Sequence, residues 1–304
     1  MSAILSSLTK YVDEQRLPLI SKLGLEAKSA KEFELMTGVK SDTALNLLEV
    51  DGFFQNGKAC GWNDSGSTAF TQRVMKPANI KIQTSICQNA MAEYWMNYQV
   101  QIGAGRKNLP FEEEIVAKFV DNINEKVEKL IWQGDTSTTG DMAFGDGLVK
   151  ILDQTTGASG GAVSVTAATS ATVYDRVLAV YNAIPAAALA KSVIYLGIAD
   201  FRSLVLELAA KNLYHYERNI DENFEIVLPA TSTKVKGMAG LEGSDAIIAL
   251  VPSHTFYGCD LVSDKDEFRI WHSVDNDEYR LHCAFVTGVQ VAYPSECVIN
   301  HKAE

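Results

Sequence analysis

The stretch PFEEEIVAKFVDNINEKVEKLIWQGD, residues 110–135, constrains this chain more than any other. Phe111, Ile115, Phe119, Ile123 and Val127 recur every four residues, with Val116, Val120, Leu130 and Ile131 beside them. That spacing predicts one long helix over 110–133. Pro110 suits its first turn, where the missing N–H would be unpaired anyway. Glu112, Glu113 and Glu114 sit at the positive end of the helix dipole, and Lys126 and Lys129 towards the negative end. Gly134 stops it. About 22 residues make a rod roughly 33 Å long, and a four-residue repeat overshoots the 3.6-residue turn, so the apolar stripe slants around the axis. A slanted, wide stripe can meet a twisted sheet and something beyond it; an ordinary long core helix fits the same pattern. The rod carries no catalytic group and reads as a beam.

Around it the chain is organised as follows. Residues 1–40 carry Leu5, Leu8, Leu17, Leu19, Ile20, Leu23 and Leu25, interrupted by Pro18 and Gly24. They predict short helical pieces in an arm that a partner covers, or a helix packed on its own domain. TALNLLEV (43–50) is a strand or a helical turn. DGFFQNGKACGWNDSGS follows, with Asn56-Gly57 as a hairpin signal. TAFTQRVM and NIKIQTSI then alternate, placing Ile80, Ile82 and Ile86 on one face. The whole predicts a two-stranded projection returning to a body strand. A lone hairpin is marginal in water, so its aromatics need cover, from the chain's own core or from another subunit. Burial on another subunit is the preferred reading, with Phe53, Phe54, Trp62, Phe70, Phe111, Phe119 and Trp132 as candidate interface residues.

QNAMAEYWMNYQVQIG (88–103) predicts a helix, and LVKIL (148–152) a strand. TTGASGGAVSVTAATSAT predicts a small-residue linker and a domain junction near it. An α/β unit follows: a helix through TVYDRVLAVYNAI, a strand at 193–198, a helix at 199–212, and strands at 224–228, 233–241 and 246–251. FRIWHSV (268–274) and EYRLHCAFVTGVQVAYPSECVI (278–299) are strand-rich and close the chain.

The remaining residues oppose other chemistry. The chain has 27 basic and 38 acidic side chains, a formal charge of −11, which opposes sequence-independent nucleic-acid binding. No run approaches the roughly 18 apolar residues of a membrane helix, and MSAILSSLTKYVDEQR turns charged too early for a signal peptide. Cys60, Cys87, Cys259, Cys283 and Cys297 form no CxxC pair and read as reduced thiols of a cytoplasm. GASGGA (157–162) lacks a following GK[ST]. His215, His254, His272, His282 and His301 show no metal-ligand spacing, and no G-x-S-x-G elbow occurs. The acidic groups at 264–267 and 275–278 fall in turns without EF-hand spacing. The sequence offers no catalytic residue, no metal site and no cofactor.

The order of parts resembles that of the major capsid proteins of tailed bacteriophages, the HK97-like capsid fold shared with encapsulins. The resemblance is carried by the projecting loop, by NIKIQTSIC leading to QNAMAEYWMNY, and by the long helix ending in Gly134-Asp135. Phe144-Gly145-Asp146-Gly147-Leu148, TFYGCD (255–260) and the closing Gly288, Val289, Val291 and Pro294 add to it. It implies an α+β fold: an N-terminal arm (1–40), an extended β-hairpin loop (41–79) and a peripheral domain with the spine helix (80–152). An α/β axial domain (153–254) and closing peripheral strands (255–304) complete it. The resemblance also makes Gly134, Asp135 and Gly147 turn or hinge residues, and the small-residue linker near 153–170 a hinge between ring environments. The implied role is a virion subunit, assembled in the host bacterial cytoplasm. It would build the pentamers and hexamers of an icosahedral shell around double-stranded DNA, without sequence-specific contact and without a membrane. No N-terminal scaffolding extension is visible, so a separate scaffold is implied, along with a portal and decoration proteins. Some relatives crosslink a loop lysine to a C-terminal asparagine; Lys58 and Asn300 match only loosely, and no crosslink is expected. An encapsulin-like compartment around an enzyme cargo and a cytosolic α/β enzyme are the alternatives.

Overall fold

The structure, a computed structural model, describes residues 27–52, 54, 66–87, 111–158, 160–167, 171–211, 224–260, 268–273, 275–276 and 278–302. The expectations for residues 1–26, for Phe53, Asn56-Gly57, Lys58 and Trp62, and for a helix at 88–103 lie outside these residues. The described chain opens with a short helix α1 (Lys28–Glu32) and strand β1 (Glu34–Thr37). Strands β2 (Thr43–Gly52), β3 (Gly66–Met75) and β4 (Ala78–Cys87) follow, so TALNLLEV is a strand. The rod is α2 (Phe111–Gln133), 23 residues long.

Next come α3 (Leu148–Thr155), β5 (Val163–Ala167), α4 (Val173–Ala183), β6 (Val193–Gly197) and α5 (Ile198–Ala210). Strands β7 (Glu225–Val227), β8 (Lys234–Met238), β9 (Ile247–Leu250), β10 (Thr255–Cys259), β11 (Phe268–Ser273), β12 (Glu278–Val291) and β13 (Val298–Lys302) complete the chain. β2 and β3 form their own two-stranded sheet. A five-stranded sheet runs β1-β10-β12-β11, with β4 also paired to β12. A six-stranded sheet runs β5-β13-β9-β6-β8-β7.

Four expectations are corrected. LVKIL is helical, because Leu148, Ile151 and Leu152 are buried at the i, i+3, i+4 spacing of one helix face. The alternation in VSVTA makes it a strand, β5, parallel to β13, so the linker is bolted into a sheet. The last strand, β13, leaves the company of β12 and inserts between β5 and β9 of the six-stranded sheet. Residues 239–241, expected to continue a strand, form a 3-10 turn instead.

The six-stranded sheet is covered on both faces, which explains its continuous apolar strands. Side chains alternate between two cores: Ile194, Leu196, Ile247, Ala249 and Val298 face the core built with α4 and α5. Tyr195, Ile248, Leu250 and Ile299 face the larger core, which also holds Val116, Val120, Ile123, Val127 and Ile131 of α2 and Leu281, Cys283, Val289 and Val291 of β12. One apolar body therefore joins both sheets to the rod. α4 starts with a capping box, Thr172 with Asp175. Buried Arg176 on that helix donates from Nε to Asn300 Oδ1 at 2.8 Å, and Asn300 donates to the Val165 carbonyl at 2.6 Å. Asn300 is thus engaged inside its own sheet.

The end of the rod is fixed most firmly. Trp132 is 0% exposed, and its Nε1 donates to Ser29 Oγ at 2.5 Å. Ser29 donates from Oγ to Glu128 Oε1 at 2.5 Å and from its backbone N to Oε2 at 3.0 Å. The indole lies 5.7 Å from the Phe33 ring and 5.2 Å from Tyr195. Gly240 in the 3-10 turn presses so close that a Cβ would come within 2.3 Å of the Glu128 carbonyl and of the indole. α1 is tied to the six-stranded sheet by Lys236, 2.7 Å from Glu32 and 3.2 Å from Glu225. Trp132 was expected at an interface; it is the centre of the chain's own core and presents nothing to a neighbour.

Trp132→Ala should cost about 3–5 kcal/mol, the range for an aromatic core truncation. The Tyr195 hydroxyl is buried without a hydrogen-bond partner among the described residues. Tyr195→Phe should therefore be neutral or slightly stabilising, since it removes an unpaired polar group; urea denaturation of both variants beside the native chain checks the two values.

Candidate subunit interface

The hairpin β2–β3 is built by alternation. Its register pairs Leu48 with Phe70, Val50 with Thr68 and Ala44 with Val74. Residues directly opposite share a face, so Ala44, Asn46, Leu48 and Val50 lie beside Thr68, Phe70, Gln72 and Val74. Gln72 Nε2 donates to Asn46 Oδ1 at 2.8 Å across that face. The same face carries an apolar stripe in water: Phe70 is 81% exposed, Val50 69% and Leu48 54%. Phe54, beyond the end of β2, is fully exposed. Ten residues per strand extend roughly 34 Å at the usual rise. Among the described residues the two strands pair only with each other.

The root of the hairpin is packed on the opposite face, where Leu45 and Met75 are buried. A Cβ on Gly258 would come within 2.4 Å of Met75 Sδ, so the glycine makes room for the methionine. Buried Gln290 holds the root by two bonds to β3 and is itself fixed by a third within its own strand. It donates to the Val74 carbonyl at 2.7 Å and accepts from Arg73 Nη2 at 3.2 Å and from the Val291 N–H at 3.0 Å. Burial lowers the pKa of the Arg73 guanidinium.

The turn after the rod is a second built feature. Gly147 N–H donates to the Gly134 carbonyl at 2.8 Å. A Cβ on Gly147 would stand 2.6 Å from both Gly134 N and the Trp132 carbonyl, and one on Gly134 2.4 Å from the Gly145 carbonyl. Lys150 Nζ lies 2.7 Å from both Asp135 Oδ1 and Asp146 Oδ1. Its bond to Lys150, then that to the Ser137 N–H, hold the Asp135 carboxyl below its ordinary pKa. At Asp146 burial pushes the other way, but the bonds to Lys150 and Thr136 win and the pKa is lowered. The two carboxylates in turn raise Lys150. This turn is a lock, where a hinge was one of the two expectations.

Of the sequence-derived interface residues, the structure brings Phe54 and Phe70 to the exposed side of the hairpin. Phe119 is half-buried on α2, packed against the large core. Phe111 begins α2, but its side chain, like Phe53 and Trp62, lies outside what is described. Sequence reasoning missed Leu48, Val50 and Val74; the signal was their alternation, once TALNLLEV is read as a strand. Among the described residues no cluster of His, Cys, Asp and Glu could hold a metal.

No family model matches this chain, and no curated protein matches it in sequence. Solved structures do match. A chain of the satellite phage P4 procapsid with its size determination protein is 10% identical, with TM-score 0.62, over 94% of this chain and 90% of that one. Gordonia phage Cozz gives 10% identity and TM-score 0.58 over 93% and 87%. The capsid of the native GTA particle gives 11% and 0.58 over 93% and 91%. The chain thus has the α+β fold of phage capsid structures over nearly its whole length.

Two measurements check the turn. Gly147→Ala should destabilise by about 1–3 kcal/mol, the cost of forcing atoms into a packed site. Gly52→Ala, where nothing lies within 4 Å, should stay within about 0.5 kcal/mol. The depressed carboxyls contribute stability above about pH 3.9, their ordinary value, that is lost as pH falls through their lower folded values. The raised lysine contributes below about pH 10.4 and loses its share above it. Lys150→Met should therefore lower Tm at pH 7 and shrink the Tm difference between pH 7 and pH 3.

Proposed function

We propose that this chain is a structural subunit, not an enzyme, that self-assembles into pentamers and hexamers of an icosahedral phage shell enclosing double-stranded DNA. The observation that carries the reading is a long hairpin with an exposed apolar face on a chain with a capsid fold. Isolated two-stranded hairpins are marginal, and a soluble single molecule rarely leaves such a stripe in water. Cover from a sister copy answers both. Each of Leu48, Val50 and Phe70 would gain about 1.5–3 kcal/mol on full burial, and several neighbours per subunit multiply modest contacts through effective concentration.

In this reading the hairpin lies over a neighbouring subunit, the six-stranded unit sits near the rotation axes, and α2 with the five-stranded sheet forms the periphery. A separate scaffold, a portal and decoration proteins would act on the shell, which forms in the host cytoplasm and ends as the virion capsid. The −11 charge suits a wall that does not trap DNA.

The test is electron microscopy and sedimentation of the expressed full chain beside Phe70→Ser and Leu48→Ser. The native chain should form shells. The variants should keep its Tm, since exposed substitutions cost within about 0.5 kcal/mol, yet remain small. A native chain that stays a single folded molecule at every concentration reached would overturn the proposal. Recovered shells holding an enzyme cargo instead of DNA would move it to the compartment class.

A further inference from the structure

The six-stranded sheet ends in two strands with open edges. Among the described residues β5 pairs with β13 alone and β7 with β8 alone. The Val163 N–H donates to the Cys297 carbonyl at 3.0 Å. In a parallel ladder Val163, Val165 and Ala167 therefore turn their backbone groups towards β13, and Ser164 and Thr166 turn theirs outward. On the other edge the Phe224 carbonyl accepts from the Gly237 N–H at 2.8 Å, and the Leu228 N–H donates to the Thr233 carbonyl at 2.9 Å. With that register Ile226 also faces β8, and Glu225 and Val227 turn outward. Each edge thus offers two N–H donors and two carbonyl acceptors, and among the described residues none of these has a backbone partner.

Neither edge carries the usual protection. β5, VSVTA, has no charge and no proline; Ser164 and Thr166 are exposed, and Val163 is 37% exposed. Proteins normally blunt such an edge, because it templates pairing with another chain. On β7 the charged residue is Glu225, already neutralised inside its own sheet by Lys234 at 2.7 Å and Lys236 at 3.2 Å. A strand laid against β7 therefore buries no unpaired charge. The strand directions are set as well. β13 runs with β5, β9 against β13, β6 against β9, β8 with β6 and β7 against β8, so β7 runs opposite to β5.

We propose that β5 of one copy pairs edge to edge with β7 of a second copy, so that the six-stranded sheets of neighbouring copies join. Backbone complementarity selects the occupant. Copies set side by side in the same orientation bring β7 of one against β5 of the next in the antiparallel sense, the more stable pairing, and match two outward residues with two. The contact is heterologous, and a rotation repeats it into a ring in which every copy uses both edges. Pairing β5 with β5 about a two-fold axis would leave both β7 edges open. The inference rests on the shell reading, in which this unit sits near the rotation axes, and adds to it a contact separate from the hairpin.

The experiment uses the full chain. Hydrogen exchange, resolved to single amides by fragment mass spectrometry, compares the native chain assembled and diluted below its assembly concentration. The amides of Ser164, Thr166, Glu225 and Val227 should exchange at least about tenfold more slowly in the assembly. Ser164→Pro and Val227→Pro each remove one outward donor, a position where an edge strand tolerates proline, so circular dichroism melts should keep the native Tm. Each should raise the concentration needed for assembly at least about fivefold, the weight of one net hydrogen bond. Shells in which these amides exchange as fast as in the separate chain overturn this proposal and leave the shell reading standing, whether or not a variant folds. Protection of β5 without β7 also overturns it and assigns the β5 edge to another occupant. So does a Val227→Pro chain that assembles at the native concentration while Ser164→Pro does not. A native chain that never associates overturns both.

Discussion

The burial of Trp132 at the end of the rod is the constraint from which the rest of the molecule takes its position. Three backbone segments close on that residue: α1 through Ser29, the 239–241 turn through Gly240, and the post-rod turn through Gly147. Two of those approaches leave no space for a Cβ, so packing there is backbone against backbone. The indole N–H, the Ser29 hydroxyl and the Glu128 carboxylate satisfy one another, which is what a charge needs to be tolerated in a dry core. Because Tyr195 and Phe33 complete the cluster, the rod cannot move relative to the six-stranded sheet without opening a cavity. From the same end, Gly145 abuts Ala78 at the start of β4, so the strand that carries the hairpin is aligned by the rod as well.

Much of this was legible in the sequence, and the failures have physical causes. The rod, α4, α5 and the strands β6, β7 and β9 follow from periodicity alone. LVKIL failed because five apolar-rich residues satisfy either period, and only the burial of Leu148, Ile151 and Leu152 together decides it. AVSVTA is small and weakly apolar, as an edge strand can be, and so resembled a linker. The crossing of β13 into the other sheet is a long-range choice that no local pattern encodes. Trp132 at the end of an amphipathic helix has the same local pattern whether it faces a neighbour or its own core. On the hairpin, the aromatics drew attention first, while the aliphatic stripe of Leu48, Val50 and Val74 needed a strand assignment and a register before it could be seen.

The hairpin and the body obey different energetics. The body closes two cores and, the Tyr195 hydroxyl apart, pairs the buried polar side chains described above. The hairpin exposes two strand edges and one apolar face, a combination that proteins usually blunt with charge or cover with another element. Its outward face carries Asn46 and Gln72 bonded to each other, which leaves the neighbouring Leu48, Val50 and Phe70 without a charged gatekeeper on that face. Such a surface is tolerable when a defined partner covers it faster than random association does.

A shell built from one chain must fit that chain into unequal positions, and the structure restricts where the adjustment can occur. A hinge in the small-residue stretch near 153–170 would have to break the pairing of β5 with β13 and tear the large core shared by both sheets. The root of the hairpin is a different kind of joint. Met75 is held by packing against a glycine, and Gln290 supplies hydrogen bonds that a modest tilt of the strands can preserve. Bending there changes the direction of a lever roughly 34 Å long at the usual strand rise, so a small rotation at Val74 and Met75 moves Phe54 by several times the displacement at the root. In the shell reading, the rigid body sets the curvature common to all positions, and the hairpin root absorbs the differences between them.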